Sequence, residues 1–219
     1  MKLAALISGG KDSWLAVDEV TPKHEIKYLV CVEPEPDSPF LHSENLGLVK
    51  LQSEVSGIPL VWVESEDEGL EALREAVETI SDDIDGLVSG AIASEYQRER
   101  VMGICTDLGL ECLTPLWKRR EEDIMESLLE REFKVIITKV AAQGLDEGWL
   151  GRVLDRELLE DLKELKNKNS VNIAGEGGEF ETLVLDCPHF NHSIRIKESR
   201  KTWEDKTGTG YLEVTDSEH

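Results

Sequence analysis

The chain alternates between short, continuous apolar runs and longer segments in which apolar residues recur every three or four positions. Residues 3–7 are apolar without a break, which is typical of a strand buried on both faces. Later runs predict strands at residues 26–32, 60–63, 86–89 and 111–113. Helical spacing predicts helices that begin at residue 13 and that span residues 43–57, 67–80 and 94–109. This alternation favours a parallel, doubly wound α/β sheet with right-handed crossovers.

The pattern changes after residue 117, where three basic residues follow one another. A helix over residues 121–131, a strand over 133–140 and a helix near 155–168 are predicted next. The tail contains shorter strand-like runs at residues 182–185, 192–198 and 211–214. We therefore predict two domains, with residues 1–117 in the first and a second, smaller α/β domain over residues 118–219.

Composition excludes several classes of protein. The 219 residues are 40% hydrophobic, which is ordinary for a packed globular protein, so disorder is not expected. The sequence has no long apolar run and no signal-peptide pattern, so we expect a cytoplasmic protein without a membrane span. The cysteines lack a Cys-x-x-Cys pair, which argues against a zinc site, an iron–sulfur site or a disulfide scaffold. They are Cys31, Cys105, Cys112 and Cys187.

The formal net charge is −22 at pH 7. A field of this sign repels nucleic acid at long range, so a nucleic-acid partner is not expected, although a local basic patch stays compatible with it. The acid excess also fits a solubility feature or a salty cytosol. The oligomeric state is not fixed by the sequence, and a homo-oligomer is left open.

A glycine-rich segment joins the first predicted strand to the first helix. Gly9 and Gly10 let the backbone approach a phosphate without a Cβ clash, at a helix N terminus whose unpaired N–H groups favour anions. Lys11 adds a positive charge, and Asp12 makes sense beside phosphates if it holds Mg²⁺ or fixes the loop. Hydroxyl donors are available at Ser8 and Ser13. The spacing is neither Walker A nor Gly-x-Gly-x-x-Gly, and a plain glycine-rich turn is the alternative.

A second polar block follows the fourth predicted strand and begins at Gly90. Ser94 and Gln97 have the spacing of a capping box. Ligands of open α/β sheets bind at the carboxyl ends of the strands, so this block can face the same crevice as the glycine-rich loop. Within it, Tyr96 and Arg98 lie on the first helical turn, and Arg98 could neutralise a developing phosphate charge. A capped surface helix with i,i+4 pairs is the alternative.

A third cluster lies in the predicted second domain, where residues 175–182 contain three glycines and three carboxylates. If residues 179–182 are extended, Glu179 and Glu181 share one face. Clustered carboxylates could bind ammonium, hold Mg²⁺ or act as a base. A solvated acidic turn is the alternative in so acidic a protein. The candidates are Glu176, Gly177, Gly178, Glu179 and Glu181.

The segment from Ser8 to Ser13 resembles the Ser-Gly-Gly-x-Asp-Ser loop of the PP-loop ATP pyrophosphatases, also called N-type. The resemblance implies that ATP is cleaved between its α and β phosphates. It also implies a five-stranded parallel sheet of the adenine nucleotide alpha hydrolase type, with adenine near strand ends that include Cys31 and Val32. The residues implied to bind pyrophosphate and Mg²⁺ are Ser8, Gly9, Gly10, Asp12 and Ser13.

The three clusters, together with residues 108–117, resemble the diphthine–ammonia ligases in their short, archaeal-type form. This resemblance implies that ATP adenylates the diphthine carboxylate of translation elongation factor 2. Ammonium then gives the amide, diphthamide, with release of AMP and pyrophosphate. Free ammonium is the expected nitrogen source, because no Cys-His-Asp glutaminase arrangement is visible.

The resemblance also suggests individual roles. Lys11 and Arg98 would stabilise phosphate charge, Asp12 would place Mg²⁺, and the glutamates would shape a carboxylate or ammonium pocket between the domains. The trimethylammonium group of diphthine would suit an aromatic cage, for which buried core aromatics are the alternative. Its candidate members are Tyr96, Trp117 and Trp149. The family often carries an aromatic–His pair after its second strand. The corresponding residue here, His42, follows Leu41, which leaves its role open between substrate contact and packing.

Two other functions are compatible with the sequence. The first is a tRNA-modifying member of the same superfamily, against which the acidic charge and the missing Cys-x-x-Cys pair both count. The second is a module that binds ATP or AMP without catalysis, in which the glutamate-rich loop would have no role.

Overall fold

The computed structural model describes residues 1–33, 45–65 and 69–219. It divides into two compact units, Met1–Lys118 and Arg119–His219. The predicted domain boundary lay one residue earlier, between residues 117 and 118. Across the described residues, no helix has the length and apolar character that crossing a membrane would need.

The first unit contains a five-stranded sheet flanked by helices. Its strands are β1 (Lys2–Leu6), β2 (Glu25–Glu33), β3 (Leu60–Glu64), β4 (Gly86–Val88) and β5 (Glu111–Leu113). Its helices are α1 (Lys11–Val20), α2 (Leu48–Ser56), α3 (Leu70–Ile80) and α4 (Glu95–Leu108). The strands run parallel in the order β3-β2-β1-β4-β5, which confirms the predicted doubly wound α/β fold.

Burial on both faces explains the continuous apolar runs. Ala4 lies in a core with Val30 and Leu87, into which α3 and α4 insert their apolar faces. Its neighbours in β1, Leu3 and Ala5, are equally buried and point to the opposite face because side chains alternate along a strand. Polar residues are therefore excluded from the middle of β1 and appear where the strand ends.

The strand order reverses between β1 and β4. Connections after β1 lead to one side of the sheet and connections after β4 lead to the other, which defines a topological switch point. Leu3 pairs with Gly86 and Ala5 pairs with Val88 in parallel register. The segments that follow these two strands consequently leave the sheet at the same edge, side by side.

Two helix starts differ from the sequence prediction. Helix α1 begins at Lys11 rather than at residue 13, because Gly10 has an extended backbone and acts as the N-cap. Lys11 and Asp12 therefore belong to the first helical turn. Helix α2 begins at Leu48, and the predicted start at residue 43 lies outside the described residues.

The second unit is built around a four-stranded antiparallel sheet. Its elements are α5 (Glu121–Glu130), β6 (Lys134–Val140), α6 (Arg156–Asn169), β7 (Phe180–Asp186), β8 (Arg195–Glu204) and β9 (Thr209–Glu218). The sheet order is β7-β6-β9-β8. Strand β9 extends beyond its predicted run at both ends. Strand β8 begins at Arg195, later than the predicted start at residue 192, and continues past residue 198 to Glu204. Most of β8 is exposed on both faces, and an apolar pattern does not report such a strand.

Candidate active site

The glycine-rich loop lies at the switch point between β1 and β4. Gly9 has a φ of +83°, a left-handed conformation that favours glycine, and Gly10 then caps α1. The first-turn N–H groups of α1 cannot bond within the helix, and the helix dipole makes this end positive. The loop thus has the backbone geometry of an anion site at the carboxyl edge of a parallel sheet.

Lys11 and Asp12 form an ion pair inside this first turn. Lys11 is 3% exposed, and its Nζ lies 2.8 Å from Oδ2 of Asp12. The other carboxylate oxygen, Oδ1, is buried and has no hydrogen-bond partner in the part of the chain that the structure describes. A buried anionic oxygen without a partner is unfavourable unless a cation or donor arrives with a ligand.

The structure brings Gly90 directly against the same turn. A Cβ at Gly90 would lie 2.7 Å from the carbonyl carbon and oxygen of Asp12 and 2.8 Å from the nitrogen of Ser13. No side chain fits at those distances. The segment after β4 therefore packs backbone against backbone on the first turn of α1.

The next part of that segment mainly builds helix α4. Ser94 is its N-cap, with Oγ accepting a hydrogen bond from the Gln97 nitrogen at 3.3 Å. Tyr96 and Gln97 are exposed, and the guanidinium of Arg100 lies 3.8 Å from the centre of the Tyr96 ring. The predicted cap is thus present, and the ring of Tyr96 contacts a cation of this chain.

Arg98 packs against an aromatic ring, and one of its hydrogen-bond donors has no partner among the described residues. Its guanidinium carbon lies 4.9 Å from the centre of the Trp117 ring. Its Nε is buried, and no hydrogen-bond acceptor for it lies among residues 1–33, 45–65 and 69–219. The segment that carries Trp117 is tied down by the Lys118 N–H, which donates to the Ile92 carbonyl at 2.8 Å. Arg98 thus has an unused donor within the described residues, and the ring of Trp117 contacts a cation of this chain.

Two residues predicted to bind the nucleotide, Ser13 and Cys31, are buried in the first unit. The hydroxyl of Ser13, a residue that is 7% exposed, donates to the Gly10 carbonyl at 2.9 Å. Cys31 is buried, and burial raises the pKa of its thiol to about 12, with a further contribution from Glu33. Cys31 is therefore a neutral packing residue, whereas Ser8 and Val32 keep contact with solvent.

In the second unit, the carboxylate of Glu179 accepts hydrogen bonds from backbone nitrogens in and just before the glutamate-rich loop that contains it. Its Oε1 accepts a hydrogen bond from the Asn172 nitrogen at 3.1 Å, and its Oε2 accepts one from the Gly177 nitrogen at 2.8 Å. The turn between them needs the left-handed backbone of Gly175 and Gly178, whose φ angles of +72° and +82° are unfavourable for most residues other than glycine. Glu179 thus acts on the shape of the loop.

Glu181 points to a different partner. It is opposite Lys139 in the β6–β7 ladder, and the Lys139 Nζ lies 2.7 Å from its Oε1. Because β7 begins at Phe180, Glu179 lies ahead of the strand, and the two carboxylates do not form the shared-face pair that an extended segment would give. The tip of the loop that reaches solvent consists of Glu176, Gly177 and Gly178.

Sequence reasoning missed two residues that support these loops. Gln52 is fully buried and donates from Nε2 to the Gly9 carbonyl at 3.0 Å. Glu121 accepts a hydrogen bond from the Ile173 nitrogen at 3.0 Å, next to the glutamate-rich loop. The available signal for Gln52 was a polar residue within the apolar stripe of its helix, between Val49 and Val55.

Two further candidate substrate residues are Trp149 and His42. Trp149 is 9% exposed and carries Arg152 over its ring at 4.6 Å, so it belongs to the core of the second unit. His42 lies outside the described residues. Among the residues that are described, no cluster of three or more His, Cys, Asp or Glu side chains could hold a metal ion by itself.

Comparison with known proteins decides the family. The diphthamide synthase N-terminal domain matches residues 1–112, and the diphthamide synthase C-terminal domain matches residues 120–217. The chain belongs to the diphthamide synthase family. The gap between the two matches contains the boundary between the two units at residues 118 and 119.

Relatives in this family are similar over most of the chain. The diphthine–ammonia ligase of Mus musculus is 36% identical over 225 residues, which cover 91% of this chain and 84% of that protein. The diphthine–ammonia ligase of Schizosaccharomyces pombe is 33% identical and covers 98% of this chain, but only 39% of the yeast protein. A solved structure titled as a predicted subunit of a tRNA methyltransferase from Methanocaldococcus jannaschii covers 86% of this chain and 98% of its own, at 16% identity and a TM-score of 0.44.

Replacing Gly90 by alanine should disturb the loop. The new Cβ would overlap the Asp12 carbonyl, so the first turn of α1 must move, and we expect a loss of about 1–3 kcal/mol in the free energy of unfolding. The Kd for ATP should rise as well. Urea unfolding and ATP titration measure both quantities.

Gly103→Ala is the matched control, because nothing lies within 4 Å of a Cβ at this exposed site in α4. It should leave ATP binding unchanged and stabilise the helix by about 0.5–1 kcal/mol. Wild-type ATP affinity and stability in Gly90→Ala would contradict the packing described for this turn.

The cysteines should differ in reactivity towards iodoacetamide, which reacts with thiolates. Cys31 should resist alkylation in the native protein at pH 9, because its pKa is about 12 and the side chain is buried. Cys112 should react first, since it is half-buried and a hydrogen bond from Cys105 lowers the pKa of its thiol. Mass spectrometry of tryptic peptides gives the rates, with the unfolded protein as the reference. Equal labelling of Cys31 and Cys112 in the native state would contradict this ranking.

Proposed function

We propose that this protein is a diphthine–ammonia ligase, which uses ATP to convert the diphthine carboxylate of translation elongation factor 2 into an amide in the cytoplasm. The observation that carries the proposal is the phosphate loop at the switch point. There the N terminus of helix α1, the buried Lys11 and the unpartnered oxygen of Asp12 converge, in a chain matched almost end to end by one family.

The chemistry explains why ATP is needed. A carboxylate is a poor electrophile, so its oxygen first attacks the α-phosphorus of ATP, and the bond to pyrophosphate breaks. The nitrogen of ammonia then attacks the carbonyl carbon of the acyl-adenylate. The amide forms, AMP leaves with the bonding electron pair, and the ammonia nitrogen releases its surplus proton to solvent.

The residues of the first unit match the first of these steps. The β and γ phosphates are expected at the N–H groups of the α1 turn, and the ammonium of Lys11 in that turn would add positive charge beside them. Arg98 brings a guanidinium whose Nε has no acceptor within the described part of the chain. Because charge on the leaving pyrophosphate grows as the bond breaks, positioned donors of this kind stabilise the transition state more than bound ATP.

Asp12 fits a magnesium ion that accompanies ATP. Mg²⁺ is usually held by one or two carboxylates together with phosphate oxygens and water, and a dedicated protein cage is not required. Asp12 supplies one such oxygen, Oδ1, while Lys11 fixes the other. The ion would neutralise phosphate charge when bound.

The glutamate-rich loop is assigned to the substrate side of the reaction. Glu179 keeps the loop in shape through the nitrogens of Asn172 and Gly177, and Glu181 is paired with Lys139. The solvent-reaching tip, Glu176 to Gly178, is the part that would approach ammonium or the cationic group of diphthine.

The direct test supplies ATP, Mg²⁺, ammonium and elongation factor 2 that carries diphthine. AMP and pyrophosphate should appear in equal amounts, and the factor should show the mass change of a hydroxyl replaced by an amino group. Asp12→Asn should fold normally and lose at least about 100-fold in kcat, since the anionic oxygen that would hold Mg²⁺ beside the phosphates is lost.

Asp107→Asn serves as the control variant, because its carboxylate pairs with Arg74 on the surface at 2.7 Å. It should keep full activity. Release of ADP and phosphate instead of AMP and pyrophosphate would overturn the proposed function, as would full activity in Asp12→Asn.

A further inference from the structure

The amide of Gln52 joins three elements of the first unit. Gln52 lies on α2 and is 0% exposed. Its Oε1 accepts a hydrogen bond from the indole nitrogen of Trp14 on α1, at 2.9 Å. Its Nε2 donates to the carbonyl of Gly9 in the phosphate loop, at 3.0 Å. Both ends of a buried amide are thus satisfied, as burial of a polar group requires.

The chemistry of Trp14 determines which way the amide faces. An indole N–H can only donate, so the oxygen of Gln52 must face Trp14. The nitrogen of Gln52 is then turned to the other side, where the Gly9 carbonyl is an acceptor. A flipped amide would set two donors against each other at Trp14 and two acceptors against each other at Gly9.

The bond to Gly9 also sets the direction of the next N–H group. The Gly9 carbonyl and the Gly10 nitrogen belong to one trans peptide, in which the C=O and N–H bonds point in opposite directions. With the carbonyl drawn towards buried Gln52, the Gly10 N–H points away from the core. No acceptor for this N–H occurs among the described residues. The left-handed φ of Gly9 lets the chain take this path.

We propose that Gln52 and Trp14 are positioning residues that aim the Gly10 N–H at the pyrophosphate of ATP. This inference rests on the proposed function, because it concerns the same phosphate loop. The Gly9 carbonyl would otherwise be free to rotate towards the phosphates, where a carbonyl oxygen repels an anion. Gln52 thus removes an unfavourable dipole and presents a donor in its place.

The carbonyl of Gly10, next to that of Gly9, is held by donors of helix α1. The Gly10 oxygen accepts a hydrogen bond from the Ser13 hydroxyl at 2.9 Å and another from the backbone nitrogen of Trp14 at 3.4 Å. Both carbonyls of the glycine pair are therefore occupied by groups of α1 and α2. Trp14 contributes to both arrangements, through its backbone to Gly10 and through its indole to Gln52.

Gln52→Met tests the proposal, because it keeps the length and approximate volume of the side chain while removing the amide. Inorganic pyrophosphate should bind at least about tenfold more weakly to this variant, since the Gly10 N–H is no longer held in the direction of the pyrophosphate. AMP lacks the two outer phosphates, so its affinity should stay within twofold of the wild type. In turnover, kcat should fall by about 100-fold while KM for ATP changes only a few-fold, as expected for a donor that acts on developing charge.

Val49→Ala is the matched control, since Val49 is buried on the same face of α2 and makes no side-chain hydrogen bond. It should lower the free energy of unfolding and leave the ratio of pyrophosphate to AMP affinity unchanged. If Gln52→Met does not fold, Trp14→Phe replaces it, because this change removes the indole N–H that orients Gln52 and keeps an aromatic ring. Trp14→Phe should also weaken pyrophosphate binding selectively.

The outcomes separate this inference from the function on which it rests. A folded Gln52→Met or Trp14→Phe protein with wild-type pyrophosphate affinity and kcat would overturn the role of Gln52 and leave the function in place. Equal weakening of AMP and pyrophosphate would also overturn it, because the amide would then only support the fold. A wild-type protein that forms no AMP and does not bind pyrophosphate would overturn the proposed function itself.

Discussion

The candidate site depends on one constraint: the first turn of α1 must be held rigidly at the carboxyl edge of the parallel sheet. The parallel sheet brings β1 and β4 to one edge, and Gly90 then packs directly on the Asp12 carbonyl. Gln52 fixes the loop from the other side through Gly9. Backbone donors that are fixed before the ligand arrives need no reorganisation when phosphate charge develops, which is where their contribution to the rate lies.

Electrostatics at this site must be local, because the chain as a whole carries a charge of −22. At physiological ionic strength, distant surface carboxylates are screened over about 8 Å. Buried groups are screened less, so Lys11 and the end of the α1 dipole can dominate next to the loop. Asp12 partly neutralises that positive charge through its Oδ2, and its Oδ1 could contact a cation. An acidic protein can thus bind a polyanion without a basic surface.

Much of the first unit could be predicted because its signals are local. Continuous apolar runs mark strands that are buried on both faces, and the glycine-rich loop follows the first of them directly. For Gln52 the only local signal is its place in the apolar stripe of α2. Its hydrogen bonds could not be predicted, because its partners Trp14 and Gly9 are 38 and 43 residues distant along the chain. No local pattern reports that the Glu179 carboxylate accepts a hydrogen bond from the Gly177 nitrogen, and its role as a ligand stays a prediction. The C-terminal part of β8 could not be predicted, because its exposed residues form no apolar pattern.

The central claim is that the loop after β1 holds the outer phosphates of ATP. A crystal structure of the protein with Mg²⁺ and α,β-methylene ATP, which cannot be cleaved at the reacting bond, tests it most directly. The account predicts β- and γ-phosphate oxygens at hydrogen-bond distance from the Gly10 and Lys11 backbone nitrogens, with Asp12 Oδ1 directed at the metal. Nucleotide bound elsewhere, with this loop free of phosphate, would contradict it.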